Sequence, residues 1–205
     1  MSDVEGAEHA VDQRSSWAAA AAHAAGVPTQ AGTTERILAV RRLDVDVPAS
    51  PDVIEATDIA VFRDTLLAGY EVTGAVAAFI AAEHDLPMVR RFLILADDAP
   101  IAAAAMTIHD DVAVLGGAST LPARRGRGAQ TRLLAHRIHV AIEAGCTLAT
   151  ATARPDSTSA ANLARAGFSL HLCPMWTIMG CQNVDSFTPN RADDPGEVAH
   201  WKRSR

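Results

Sequence analysis

The sequence predicts an α/β domain with a mixed, largely antiparallel sheet flanked by helices, and three observations carry that class. Between Arg91 and Ala118, three short apolar runs are separated by tight polar turns, Asp97-Asp98-Ala99-Pro100 and His109-Asp110-Asp111. That is the pattern of an antiparallel meander. After it, the glycine-rich turn Arg125-Gly126-Arg127-Gly128-Ala129-Gln130 opens a segment with Leu133, Leu134, Ile138, Ala141 and Ile142 at helical spacing, ending at Gly145. A strand pattern from Cys146 to Ala153 follows, and a helical crossover of this kind makes the two strands it joins parallel.

The elements follow in order. Residues 1–33 read as an N-terminal extension, partly helical or disordered, in which Ser16 to Ala25 form one alanine-rich helix ending at Gly26. The domain proper runs over 34–180. Its first strand, from Glu35, carries Ile37, Val40, Leu43, Val45 and Val47 and stops at Pro48. Ala49 to Gly69 is expected to be helical, with Ser50-Pro51-Asp52 as the start signal. A second helix spans Thr73 to Glu83. The meander occupies Arg91–Ala96, Ile101–Ile108 and Val112–Ala118. A short helix from Ser157 to Ala166, closed by Gly167, precedes two final strands, Phe168–Cys173 and Met175–Met179, separated by Pro174. Residues 181–205 form a polar C-terminal tail, with Asp193 to Gly196 expected to be disordered.

Bulk properties exclude several classes. The chain has 205 residues, 49% hydrophobic and only 4% aromatic, so one domain with a core of small aliphatic side chains is expected. A net charge of −6 argues against general attraction to nucleic acid or an anionic membrane. No apolar run approaches about 20 residues, so no spanning helix is expected. Cys146, Cys173 and Cys181 form no CxxC pair. Reduced, mostly buried thiols in a cytoplasmic protein are the simplest reading.

The glycine-rich turn is the chemically informative stretch. A glycine turn opening a helix aims backbone N–H groups outward beside the positive end of the helix dipole, which suits phosphate or pyrophosphate. Arg124, Arg125 and Arg127 add positive charge at the same place. Nucleic-acid binding is a rival use of that charge, but no aromatic side chains interleave with it. His109-Asp110-Asp111 are three neighbours on one turn and cannot easily converge on one ion, so no metal is expected. His136 and His139 are expected on the exposed face of their helix.

This order of elements, with Thr120-Leu121-Pro122 leading into Arg125-Gly126-Arg127-Gly128, resembles the GNAT N-acetyltransferase superfamily. Ala144-Gly145-Cys146 ends the following helix as in that family. Asn162-Leu163-Ala164-Arg165-Ala166-Gly167-Phe168 looks like its late helix and N…GF close. The similarity covers about residues 35–180. The resemblance implies two splayed parallel strands, here Val112–Thr120 and Cys146–Ala153, with the pantetheine arm of acetyl-CoA or another acyl-CoA added alongside. It further implies pantetheine contacts at Gly117, Ala118, Ser119 and Leu121, pyrophosphate contacts from Arg125, Gly126, Arg127, Gly128, Ala129 and Gln130, and Asn162 facing the cofactor.

The resemblance also implies transfer of an acetyl group to a small amine by direct attack. Many family members place a tyrosine acid four residues before the closing glycine; this chain has Leu163 there, and its one tyrosine, Tyr70, lies far upstream. A thiol with a pKa of about 8.5 is a tolerable leaving group even so. Candidate catalytic groups are Glu83, at the end of the second helix beside His84 and Asp85, together with His171 and Ser159. The alternative reading is a catalytically weak GNAT-like module that binds acyl-CoA as a sensor or partner. The apolar final strands suit pairing between two copies of the chain.

Overall fold

Helix α1 (Asp3–Ala24) starts at a capping box. Ser2 Oγ accepts from Glu5 N (3.3 Å), and Glu5 Oε2 accepts from Ser2 N (2.7 Å). The computed structural model describes residues 2–27 and 29–180; the tail 181–205, with Cys181, lies outside the described residues. The helix is therefore much longer than the 16–25 expected from the alanine run. Its buried stripe, Ala7, Ala10, Val11, Arg14, Ala18 and Ala22, recurs every three or four residues. Trp17 stacks on His109 (ring centroids 4.5 Å apart), and Gln13 Oε1 lies 3.1 Å from His109 Nδ1, so this helix is pinned to the meander.

Among the described residues the sheet has seven strands, in the order β2-β3-β4-β5-β6-β1-β7. Strands β3 (Arg90–Ala96), β4 (Ala99–His109) and β5 (Val112–Thr120) are the expected antiparallel meander. Strand β6 (Leu148–Ala153) runs parallel to β5, as the crossover requires. Strand β1 (Thr29–Arg42) inserts between β6 and β7 (Ser169–Gly180), antiparallel to both. The two final strands expected on either side of Pro174 are thus one strand. It pairs only with β1 and forms a sheet edge, where a missing N–H is tolerated.

The expected helix from Ala49 is also corrected. Val53–Glu55 form a short edge strand, β2, paired with β3, and Glu55 receives two hydrogen bonds from Arg90 (3.0 and 2.8 Å). The helix, α2 (Ile59–Tyr70), begins later, where Asp58 Oδ1 accepts from Ala60 N and Val61 N. Helix α3 (Gly74–His84) agrees with expectation.

Two helices, α4 (Ala129–Glu143) and α5 (Thr158–Arg165), cover one face of the sheet. Leu133, Ile138 and Ala141 pack there against Ala102, Ala104, Ala113 and Ala149. Phe62 and Leu66 of α2 pack against Leu93, Ala103 and Ala105 on the other face, beside α1 on Leu38, Val40 and Val114. Alanine on both faces of β4 lets the helices lie close. His136 and His139, expected in solvent, are half-buried: His136 meets the Phe92 ring edge-on, and His139 Nδ1 lies 2.9 Å from Val47 O. No helix among the described residues is long and apolar enough to cross a membrane.

Candidate active site

Parallel pairing of β5 with β6 runs from Val112↔Leu148 to Leu115↔Ala151 and stops there. Beyond Leu115 the strand departs from its antiparallel neighbour as well. Ala103 pairs with Ser119 and Ala105 with Gly116, so Gly117 and Ala118 together oppose one residue of β4. This is a β-bulge. Gly117 adopts φ 58°, and a Cβ there would collide with Nε2 of His84. Glycine is needed at this position for both reasons.

A buried guanidinium braces the bulge. Arg137 of α4 donates from Nη1 to Ala105 O (3.0 Å) and Gly116 O (3.4 Å), and from Nε to Leu133 O (3.1 Å). Burial lowers its pKa to about 10, with Tyr70 opposing and Arg14 adding to the shift, so it remains charged near neutrality.

The parted strands open a cleft of about 940 Å³. Gly117, Ala118 and Ser119 line it, as do Arg125, Gln130, Ser159, Asn162 and Glu83. Ser159 sits in the first turn of α5, which is capped by Ser157. Asn162 Oδ1 accepts a short hydrogen bond from Arg165. Leu163 is buried beside Asn162 and offers only an apolar wall. His171 lies on β7 opposite Leu38 and is not among the residues lining the cleft.

Helices α1, α2 and α5 each have a side-chain N-cap, whereas α4 has none. Its N-cap is Gly128, left-handed at φ 78°, with open space where a Cβ would stand. The first-turn amides therefore face outward from a helix start with no internal acceptor. The loop before it is anchored rather than loose. Arg125 donates to Gly69 O (2.8 Å), Glu71 Oε2 (2.8 Å) and Thr120 O (3.3 Å). Gln130 Nε2 donates to Thr120 Oγ1 at 2.9 Å. Its side chain is thus held by Thr120.

Tyr70 is the residue that sequence reasoning set aside and the fold brings in. Gly69 lies so close to β5 that a Cβ would strike Ser119 Oγ, and Ser119 Oγ donates to Leu66 O at 2.9 Å. The end of α2 is thereby pressed onto the bulge, and Tyr70 lines the cleft with 37% of its surface exposed. Desolvation by the surrounding protein, with the Glu83 charge adding, raises the phenol to about 12. The Ala118 backbone, Arg14 and Arg137 oppose that shift.

Glu83 and His84 close α3 at the same point. Arg14 donates to Glu83 Oε1 from Nε (3.0 Å) and Nη2 (2.9 Å), and to Val114 O from Nη1 (3.4 Å). Burial pushes the Glu83 carboxyl up, but Arg14 and His84 outweigh it and the net shift is downward. His84 Nδ1 lies 2.8 Å from Ile80 O, which can only accept, so Nδ1 carries the proton. Nε2 is left with a lone pair, buried and without a hydrogen-bond partner. Burial lowers the His84 pKa, Glu83 opposes, and Arg14 and Arg91 add to the lowering. The arrangement therefore presents a protonated phenol, a neutral imidazole and a carboxylate around one bulged strand.

A parted parallel strand pair with a bulge beside an uncapped glycine-loop helix defines a class of acyl-transferring α/β folds, and the comparisons agree. The family model described as "Acetyltransferase (GNAT) family" matches residues 50–168. The chain belongs to the GNAT acetyltransferase family. Among solved structures, a protein described as a GNAT-family acetyltransferase from Novosphingobium aromaticivorans is similar in fold. Its TM-score is 0.56 at 17% identity, over 80% of each chain. A GCN5-related N-acetyltransferase from Kribbella flavida has TM-score 0.53 at 20% identity, over 75% of this chain and 61% of that one. Another from Sphaerobacter thermophilus has TM-score 0.52 at 12% identity, over 72% of this chain and 51% of that one. At these identities the likeness concerns the fold alone. No curated protein matches the sequence.

Proposed function

We propose that the protein transfers an acetyl group from acetyl-CoA to a small amine by direct attack, without a covalent enzyme intermediate. The observation that carries this reading is the cleft at the parting of β5 and β6, beside the uncapped start of α4. The free edge of β5 from Gly117 to Ser119 suits the amides of a pantetheine arm, and the amides from Gly126 to Gln130 suit a pyrophosphate, whereas Leu121 N is taken by Ile101 O and Arg125 N by Pro122 O. Acetyl-CoA supplies an activated thioester carbonyl there. Backbone N–H groups of the bulge are the oxyanion donors in this reading, with the Arg137 charge close beneath them.

In the chemical step, the acceptor nitrogen forms the new C–N bond as the C–S bond breaks. Tyr70 gives its phenolic proton to the departing sulfur. Nε2 of His84 takes a proton from the nitrogen, and solvent returns it to the phenolate, so the net products are amide and free thiol.

Acetyl-CoA at a hundredfold excess over its Kd is expected to stabilise the fold by about 2.7 kcal/mol, a melting shift of roughly 5–10 °C for a chain of this size. Thiol release with an amine present should exceed hydrolysis. An unchanged melting temperature at millimolar acetyl-CoA would overturn the proposal. The buried, apolar Leu163 favours a second reading, an acyl-CoA-binding module without transfer; it predicts the melting shift without amine-dependent thiol release.

Gly128→Trp tests the pyrophosphate assignment separately. The side chain would project into the open space before α4, and CoA affinity measured by calorimetry should fall at least about tenfold, or 1.4 kcal/mol. Unchanged affinity refutes the assignment.

A further inference from the structure

A second cavity, of about 270 Å³, lies on the other side of the bulge. Arg14 and Ala18 of α1 and Phe79 and Glu83 of α3 wall it, and it shares Tyr70, Glu83 and Leu115–Gly117 with the wide cleft. We propose that this cavity is the acceptor subsite, and that the acceptor is a small primary amine with one positive charge on an apolar body, its ammonium held by Oε2 of Glu83 until one proton passes to solvent and frees the lone pair that attacks. The proposal rests on the acetyl-transfer reading above and names its substrate class.

Position is the first argument. With the thioester carbonyl at the bulge and the pantetheine arm in the wide cleft, a nucleophile in the second cavity reaches the carbonyl from the opposite side. The two cavities meet at Tyr70, Glu83 and the bulge; His84 lines the wide cleft, with Nε2 against Gly117, which borders both.

Charge is the second. Glu83 is the only carboxylate among the described residues lining either cavity; Arg14 lines the smaller one, and Arg36, Arg125, Arg137 and Arg154 line the wide cleft. Its Oε1 is occupied by Arg14. Its Oε2 has only His84 Nδ1 nearby, at 3.9 Å, and that group gives its proton to Ile80 O. One ammonium therefore has a counter-ion here. A second or third ammonium, as in a polyamine or aminoglycoside, would find no second carboxylate among the described residues lining either cavity.

Shape and the commitment of Arg14 narrow the remainder of the molecule. Val11, Ala18, Phe79, Val114 and Leu115 give the cavity one apolar stretch of wall, beside the polar Ser15 and Thr152. A dry cavity of about 150 Å³ holds a benzene ring, so this one accommodates an arylalkyl or branched alkyl group. Arg14 does not offer a fork to an acceptor carboxylate, because it is bound to Glu83 and Val114 O and lies against Gly116, where a Cβ would collide with its guanidinium. Helix α1 also precedes the segment matched by the family model, so this wall is a feature of this chain.

The test combines calorimetry with acetyl-CoA and thiol-release kinetics over 2-phenylethylamine, isoamylamine, L-phenylalanine, spermidine and kanamycin. Expected is kcat/KM for 2-phenylethylamine at least tenfold above that for spermidine, kanamycin and L-phenylalanine. Ala18→Phe, which fills the cavity from α1, should raise KM for 2-phenylethylamine at least tenfold with acetyl-CoA affinity unchanged. If that variant fails to fold, the wild-type amine ranking decides alone. Acetyl-CoA binding with spermidine or kanamycin preferred overturns the single-charge assignment and leaves the acetyl-transfer reading standing. Preference for L-phenylalanine, or no turnover with either monoamine while acetyl-CoA binds, overturns it as well. Failure of acetyl-CoA to bind removes the underlying reading and this inference together.

Discussion

Replacing Arg14 with alanine is expected to destabilise the fold by about 3–5 kcal/mol, the range for breaking a buried pair by removing one partner. The side chains of Arg14 and Glu83 are only 10% and 20% exposed, so the remaining carboxylate would be left without its cation away from bulk water. Urea unfolding measures the loss. Arg42→Ala is the control, because its pair with Asp3 lies on the same helix but with side chains 69% and 35% exposed; it should change stability by less than about 1 kcal/mol. Arg14→Ala falling in that same small range would refute the role given to the pair. Joint replacement by Arg14→Met and Glu83→Leu should recover most of the stability, since both charges are then removed. The pH dependence has a definite sign. The folded pKa of Glu83 lies below its ordinary value of 4.5. The contribution of the pair is therefore present above that value and lost as pH falls through the depressed one. In Arg14→Ala, burial of the Glu83 carboxyl is no longer opposed by Arg14, so the gap should begin to narrow above pH 4.5 as the variant takes up a proton, and narrow further as pH falls through the depressed wild-type value.

Tyr70→Phe should lower kcat by about 10² or more with acetyl-CoA, the low end of the range for a positioned acid, while the melting temperature and CoA affinity stay near wild type. The substitution deletes one hydroxyl in an open cleft and keeps the ring. An acetyl thioester of an aromatic thiol separates proton donation from a structural role. Its leaving group needs no protonation, so the variant should lose much less with it. Equal losses with both donors would refute the acid assignment. With the phenol at about 12, Tyr70 stays protonated throughout the working range and contributes no alkaline limb there. The acid limb is expected from His84, whose neutral form is the proposed base. Burial lowers its pKa, Glu83 opposes, and Arg14 and Arg91 reinforce the lowering. Activity should therefore hold below pH 6.5 and fall only as pH drops through the depressed value; a limb at or above 6.5 counts against His84.

Much of the sheet and of the glycine loop that opens α4 was legible because its signals are local. The meander runs alternate between tight turns, so their ends lie within one or two residues of β3, β4 and β5. The period of Leu133, Leu134 and Ile138 placed α4 in the same way. Where a partner far along the chain decides, local signals failed. Ile54 suits a helical face, yet it pairs across an edge with Leu93. Pro174 suggested a break, yet β1 pairs on both sides of it. One signal was present but unread: Ser2 and Glu5 form the S-x-x-E start of α1, and Arg14 occupies a buried position in its otherwise apolar stripe.

The sequence alone determined the class of fold, the crossover that makes β5 and β6 parallel, and the glycine loop that opens α4. Short-range periodicity and turn chemistry are sufficient for those. The tertiary structure alone decided what surrounds the proposed reaction centre. Ser119 meets Leu66 across 53 residues of chain, and Gly69 permits that approach, which is why Tyr70 stands at the bulge when Leu163 cannot serve. Arg14 reaches Glu83 across 69 residues and walls the second cavity. Such contacts follow from which helix lies on which strand, and only the long-range packing of the whole sheet sets that.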